Sequence, residues 1–271
     1  MKIAFIGGGN MASAIIGGLH QGGFNTSDIT VVDPNADVSA KLVDRYGVQA
    51  REAVEKADLS GMDVIVLAVK PQQLRAVAQS LAPQMKSQLV LSIAAGIRLQ
   101  DMSRWLGGYT RVARSMPNTP ALVLAGMTGL FAGPMVSPAQ RDMAETILQA
   151  VGEVVWVDKE AQLDAITALS GSGPAYVFYF MEAMVEAARE FGFSADDGRR
   201  LAIATFSGAA KLAGSSEEAL DLLRARVTSK GGTTERAVNT LEEQQAKAGF
   251  VAAMRAARDR AVELGIELGK D

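Results

Sequence analysis

The sequence predicts an α/β domain with a doubly wound, mostly parallel sheet, followed by an all-helical domain. Three features carry that expectation. Short apolar runs alternate with helical patterns as far as about Asp158. The first run ends in a glycine turn that opens a helix, Gly7-Gly8-Gly9-Asn10-Met11-Ala12. Beyond Asp158 the periodicity is helical and no convincing strand pattern is found.

Taken in order, Lys2 to Ile6 reads as a strand and Met11 to Leu19 as a helix. Ile29 to Val32 is a second strand, followed by a helix around Val38 to Tyr46. Asp63 to Val69 is a third strand. Its run from Val64 to Val69 is apolar without alternation, as expected of a strand buried on both faces. Leu74 to Leu81 is helical, Leu89 to Ile93 is a strand, and Val112 begins another. The second half holds helical segments at Ala161 to Leu169, Pro174 to Phe191, Ala195 to Leu212, Glu217 to Val227, Thr233 to Gln244 and Phe250 to Leu268. The expected division is 1–159 for the sheet domain and 160–271 for the helical one. Ala and Gly on the helical faces allow close packing. The modest length of this half predicts that it completes its core against a second copy, as a homodimer or a larger assembly of dimers.

Absent residues narrow the chemistry. The 271 residues include no cysteine and one histidine. Disulfides, thiolate nucleophiles and cysteine-ligated metals are excluded, and no metal site is expected. His20 falls at the end of the first helix, where a dipole contact is the plain reading. Serine-histidine hydrolysis then lacks its central base. The net charge of -3 gives no basic footprint for nucleic acid. No apolar run is long enough to span a bilayer, and Met1-Lys2 leads into no signal-peptide pattern. A cytoplasmic protein is expected.

Ile6 through Ala12 has the spacing G-x-G-x-x-A between a strand and a helix, the arrangement of a Rossmann dinucleotide turn. Gly7 permits the tight turn, Gly9 lets backbone approach a pyrophosphate, and Ala12 keeps helix and strand close. The helix N-terminus offers unpaired N–H groups to the anion. Gly8, Asn10 and Met11 complete the turn. The next strand ends at Asp33, followed by Pro34. A carboxylate there accepts from a ribose 2′-hydroxyl and repels a 2′-phosphate, and no arginine follows it directly. The cofactor is expected to be NADPH or NADH, with the balance leaning to NADH on Asp33. Ala68-Val69-Lys70-Pro71 and Ala94-Ala95-Gly96 lie at two further strand ends, where open sheets bind ligands.

In the helical half, Ser229-Lys230-Gly231-Gly232-Thr233-Thr234 precedes a helix. N–H groups from Gly231 through Thr234 read either as an anion-binding concavity or as an ordinary N-cap with a flexible turn. Ser170-Gly171-Ser172-Gly173-Pro174-Ala175 is a second glycine-rich helix entry, with a structural role the plain reading.

These stretches, with Met116-Pro117-Asn118-Thr119-Pro120 and Val227-Thr228 leading into the Ser229 loop, resemble the pyrroline-5-carboxylate reductases over essentially the whole chain. The resemblance implies a Rossmann domain plus a helical dimerisation domain. It implies NAD(P)H-dependent reduction of 1-pyrroline-5-carboxylate to L-proline. It further implies that Ser229, Gly231, Gly232, Thr233 and Thr234 hold the substrate carboxylate, with Thr234 bonded to the ring nitrogen as the catalytic contact. Lys230 stands where similar enzymes often carry proline, and Asp33 where many NADPH-preferring members carry a small or polar residue. A hydroxyacid dehydrogenase would instead rely on a helical lysine such as Lys211, which lacks its motif here. A non-catalytic dinucleotide sensor would not need the Ser229–Thr234 loop.

Overall fold

The computed structural model describes residues 1–270. Eight strands, β1 (Ile3–Ile6), β2 (Ile29–Val32), β3 (Gln49–Arg51), β4 (Val64–Leu67), β5 (Leu89–Ser92), β6 (Val112–Met116), β7 (Gly126–Ala132) and β8 (Gly152–Trp156), form one sheet. Their order is β3-β2-β1-β4-β5-β6-β7-β8, and every neighbouring pair is parallel except β6 with β7. Chain order reverses between β1 and β4, which makes that point the switch where an open sheet binds ligands.

Residues of β1 alternate between two cores. Ile3 and Phe5 join Ile15 and Ile16 of α1 (Asn10–Gln21) in one cluster. Ala4 and Ile6 join Leu74 and Ala78 of α3 (Pro71–Leu81) in the other. All four residues of β1, β2, β4 and β5 are buried. Helices on both sheet faces require that, and it is why these strands read as continuous apolar runs. Between α1 and α3 lies α2 (Ala36–Tyr46), opened by Asn35 Oδ1, which accepts from the N–H groups of Asp37 at 3.0 Å and Val38 at 3.3 Å. Beyond come α4 (Leu99–Trp105), α5 (Pro138–Gln149), with a Ser137–Gln140 capping box, and α6 (Gln162–Ile166).

The chain divides into two compact units, one of residues 1–172 with the stretch from Ala257 onward, the other of residues 173–256. Strands stop at Trp156, but the sheet unit continues because ion pairs hold α6 to it. Arg114 on β6 is 4% exposed and pairs with Glu160 at 2.6 Å. Arg98 pairs with Asp164, which is 3% exposed, at 2.9 Å. Glu160 also accepts from the Leu99 N–H at 2.7 Å. Burial pushes the Arg114 guanidinium below its ordinary value, and the Glu160 carboxylate opposes that push. The α6 helix runs on into one π turn, Thr167–Gly171.

The second unit holds α7 (Gly173–Glu190), α8 (Ala195–Gly214), α9 (Leu220–Arg226) and α10 (Thr233–Glu243), with the first part of α11 (Ala246–Leu268). α7 packs on α8, and Tyr176 and Phe180 meet Phe250 edge-on at 5.5 Å each. Much of its apolar surface is exposed, including Phe178, Tyr179, Phe191 and Leu220.

Glu160→Ala leaves Arg114 as a buried cation without its nearest carboxylate. We expect a loss of about 3 kcal/mol in the unfolding of the sheet unit, against a smaller loss for Glu160→Gln. Thermal and urea melts followed by tryptophan fluorescence measure both.

Candidate active site

The glycine turn sits at the C-terminal end of β1, beside β4. Gly7 has φ +101°, and a Cβ there would lie 2.7 Å from the Ala68 carbonyl oxygen, so only glycine fits. Its N–H donates to Val32 O at 2.9 Å, and Ala68 donates to Ile6 O at 2.8 Å. The turn is thereby sewn to both neighbouring strands. Gly7 and Gly8 are buried, whereas Gly9 and Asn10 are exposed. Gly9 is the N-cap of α1, has no side-chain cap, and faces open space where a Cβ would point. Unpaired N–H groups at an uncovered helix start, next to a glycine with space above it, fit a dinucleotide pyrophosphate.

Asp33 is tied into the same turn. Its Oδ2 accepts from Gly8 N–H at 2.7 Å and its Oδ1 from Asn35 N–H at 2.9 Å. The carboxylate thus braces the glycine turn and keeps free lone pairs for a ribose hydroxyl. Beside it is a cavity of about 320 Å³ whose lining includes Asp33, Pro34, Ser39 and Arg51. Arg51 was not among the residues singled out from sequence. It arrives from β3, where its carbonyl accepts from Asp33 N–H at 3.0 Å. Its guanidinium bonds only the Ala50 carbonyl, at 2.7 Å, and no carboxylate pairs with it among the described residues. The adjacent Glu52 is taken by Lys56. The signal that finds Arg51 is strand register, not proximity in sequence.

Lys70 is exposed as the N-cap of α3, with Pro71 at the first helical position. Ala94 N–H donates to Ser92 Oγ at 3.3 Å, and Ser115 Oγ donates to Ser92 O at 2.9 Å. Asn118 Nδ2 donates to Ser170 O at 3.0 Å while its Oδ1 accepts from Met127 N–H at 2.9 Å. The Met116–Pro120 and Ser170–Ala175 stretches therefore meet through one asparagine and the π turn. This gives both motifs a physical reason that spacing alone did not supply.

In the second unit, Ser229 to Gly232 form a turn in which Gly232 N–H donates to Ser229 O at 3.0 Å and Gly231 has φ +75°. The Gly231 N–H donates to Glu235 Oε2 at 2.7 Å. Two of the four N–H groups expected to face an anion are thus used internally. The free donors begin at Thr233 and Thr234, the first residues of α10, whose N-cap Gly232 receives no side-chain cap. The hydroxyls of Ser229, Thr233 and Thr234 make no hydrogen bond among the described residues. Thr234 is half-buried, whereas Ser229 and Thr233 are exposed.

Gly9→Ala separates binding from folding. The added methyl meets nothing in the protein and φ is ordinary at -64°. We expect stability to fall by less than about 1 kcal/mol, the usual N-cap effect. Nicotinamide-cofactor affinity, read by fluorescence titration, should weaken at least about tenfold as backbone loses its close approach to pyrophosphate.

Comparison with known proteins matches both parts of the chain. Residues 160–264 match the family model described as pyrroline-5-carboxylate reductase dimerisation, and residues 2–96 the model described as NADP oxidoreductase, coenzyme F420-dependent. The pyrroline-5-carboxylate reductase of Pseudomonas aeruginosa is 46% identical over 270 residues, covering 99% of this chain and 98% of that protein. The structure of the pyrroline-5-carboxylate reductase from Coxiella burnetii is 42% identical, with TM-score 0.93 over 97% of this chain and 98% of that one. The Plasmodium falciparum pyrroline carboxylate reductase, solved with NADP bound, is 26% identical, with TM-score 0.85 over 98% of each chain. The chain belongs to the pyrroline-5-carboxylate reductase family.

Proposed function

We propose that the chain reduces 1-pyrroline-5-carboxylate to L-proline with a reduced nicotinamide dinucleotide, the final step of proline biosynthesis. The observation that carries the proposal is the Ser229–Thr234 loop. It combines two free N–H groups at a helix start with three unpaired hydroxyls. A carboxylate takes the Thr233 and Thr234 N–H groups and the Ser229 hydroxyl, aided by the helix dipole. The Thr234 hydroxyl then donates to the ring nitrogen. Withdrawing electron density there makes the imine carbon more electrophilic. When bound, the cofactor supplies the hydride to carbon. The nitrogen takes a proton along the Thr234 hydrogen bond, and solvent replaces it on the hydroxyl. The chain supplies orientation and one hydrogen bond, and needs neither a strong base nor a thiol.

In this reading residues 1–159 hold the cofactor on Ile6–Ala12, Asp33, Pro34, Ala68–Pro71 and Ala94–Gly96, and residues 160–271 hold the substrate and the dimer contact. The exposed aromatic and leucine side chains of the second unit support a homodimer, or a larger assembly of dimers. Among the described residues no helix is long and apolar enough to cross a membrane, and cytoplasmic placement is part of the same proposal.

Cofactor choice turns on two opposed charges. Asp33 favours a free ribose 2′-hydroxyl, as in NADH. Arg51, at the same cavity with no carboxylate partner among the described residues, favours a 2′-phosphate, as in NADPH. Use of both follows.

Absorbance at the reduced-nicotinamide band, with 1-pyrroline-5-carboxylate and each cofactor, tests the activity; no oxidation with either cofactor would sink it. Thr234→Ala should lower turnover about 10- to 100-fold with the fold intact, the usual worth of one hydrogen bond to a polarised group. Arg51→Ala should raise KM for NADPH about tenfold and leave KM for NADH within about twofold.

A further inference from the structure

We propose that Glu235 is a positioning residue for the substrate carboxylate, holding the Ser229–Thr234 loop in its binding shape without touching the substrate. The proposal rests on the reading of that loop as the substrate site.

The loop contains Gly231-Gly232, the most freely rotating dipeptide a chain can carry. Left alone, it samples many shapes, and substrate binding would have to order it. Two internal bonds restrict it. One is the turn bond from Gly232 N–H to Ser229 O at 3.0 Å. The other is the bond from Gly231 N–H to Glu235 Oε2 at 2.7 Å, the only side-chain contact among the described residues that fixes this turn to its helix.

Glu235 is the third residue of α10 and lies in its positively polarised first turn. A glutamate at that position ordinarily reaches back to the N-cap N–H. Here the N-cap is Gly232, whose N–H is already given to Ser229. The carboxylate therefore reaches one residue further and pins Gly231 at φ +75°. With both inner N–H groups consumed, those of Thr233 and Thr234 remain as the loop's free donors. Thus the carboxylate takes one inner N–H group and the Ser229 carbonyl the other, and the carboxylate ties the turn to its helix.

The turn has the type II pattern, with Lys230 second and a positive-φ glycine third. Proline suits the second position of such a turn, and among the described residues Lys230 N–H makes no backbone hydrogen bond that proline would break. Stiffening at Lys230 should therefore substitute for bracing by Glu235.

The test compares Glu235→Ala, Glu235→Gln and the double variant Lys230→Pro/Glu235→Ala in steady-state kinetics with 1-pyrroline-5-carboxylate. Glu235→Ala should raise KM for the imine about five- to tenfold, with kcat and KM for the nicotinamide cofactor within about twofold. Glu235→Gln keeps an acceptor oxygen and should recover most of the loss, and Lys230→Pro should recover part. An unchanged KM overturns the proposal. A lower KM overturns it too, because the carboxylate would then only repel the substrate. Parallel losses for both substrates would mark a general structural defect, and also overturn it. Exchange of the Gly231 amide by NMR reads the brace without activity. It should quicken in Glu235→Ala, and unchanged exchange refutes the brace whatever the kinetics show. An enzyme silent toward the imine but with a braced Gly231 amide would instead overturn the functional reading.

Discussion

Two ion pairs, each with one buried partner, decide where the sheet unit ends. Arg114 on β6 meets Glu160, while Arg98 meets Asp164 on α6. A guanidinium this buried is tolerated only when its charge is matched. The matching groups all come from the stretch just after the last strand. That stretch is consequently part of the sheet unit, although its periodicity is helical. The π turn that follows α6 is anchored by the same attachment. Its Ser170 carbonyl meets Asn118, and Asn118 in turn receives the Met127 N–H.

The two loops proposed to hold ligands exploit the same physical fact: a helix begins with N–H groups that have no partner within the helix. They prepare it differently. At α1 a carboxylate from the next strand, Asp33, grips Gly8 and leaves Gly9 bare toward open space. At α10 a carboxylate from within the helix, Glu235, grips Gly231 and leaves Thr233 and Thr234 bare. In each case an acidic side chain consumes a neighbouring N–H and so shapes the turn. Glycine permits the geometry, but the carboxylate selects it.

Much of this was legible in the sequence, for identifiable reasons. The strands β1, β2, β4 and β5 are buried on both faces, so their side chains are apolar without interruption. The helices α7, α8, α10 and α11 are long enough to show their period. What escaped includes the whole run after β6, with the 12-residue α5 and β8 in it, as well as elements that are short, marginal or non-local. β3 is an edge strand of three residues, Gln49–Arg51, with little burial to leave a pattern. β7 contains Gly126 and Gly129, whose small size suits close neighbours, Ala121 and Ile166, and hides the strand signal. Arg51 reaches the Asp33 cavity through register between β2 and β3, which no local motif encodes. The Glu235 bond is local, yet motif spacing does not distinguish an N–H offered to a ligand from one given to a carboxylate four residues on.

The lack of cysteine and the single histidine are compatible with this site because of what imine reduction requires. No bond in the substrate needs a nucleophile from the protein, and the electrophile improves through a hydrogen bond at nitrogen. The difficulty is geometric: a small ring, held by a carboxylate at one end, must present one face of one carbon. Fixed N–H donors suit that task better than ionisable side chains, because backbone dipoles do not titrate and are already oriented before the substrate arrives. Rigidity of the donor loop then becomes the quantity that sequence variation adjusts. A flexible Gly-Gly turn beside Lys230 demands a second source of order, and the carboxylate one helical turn away provides it.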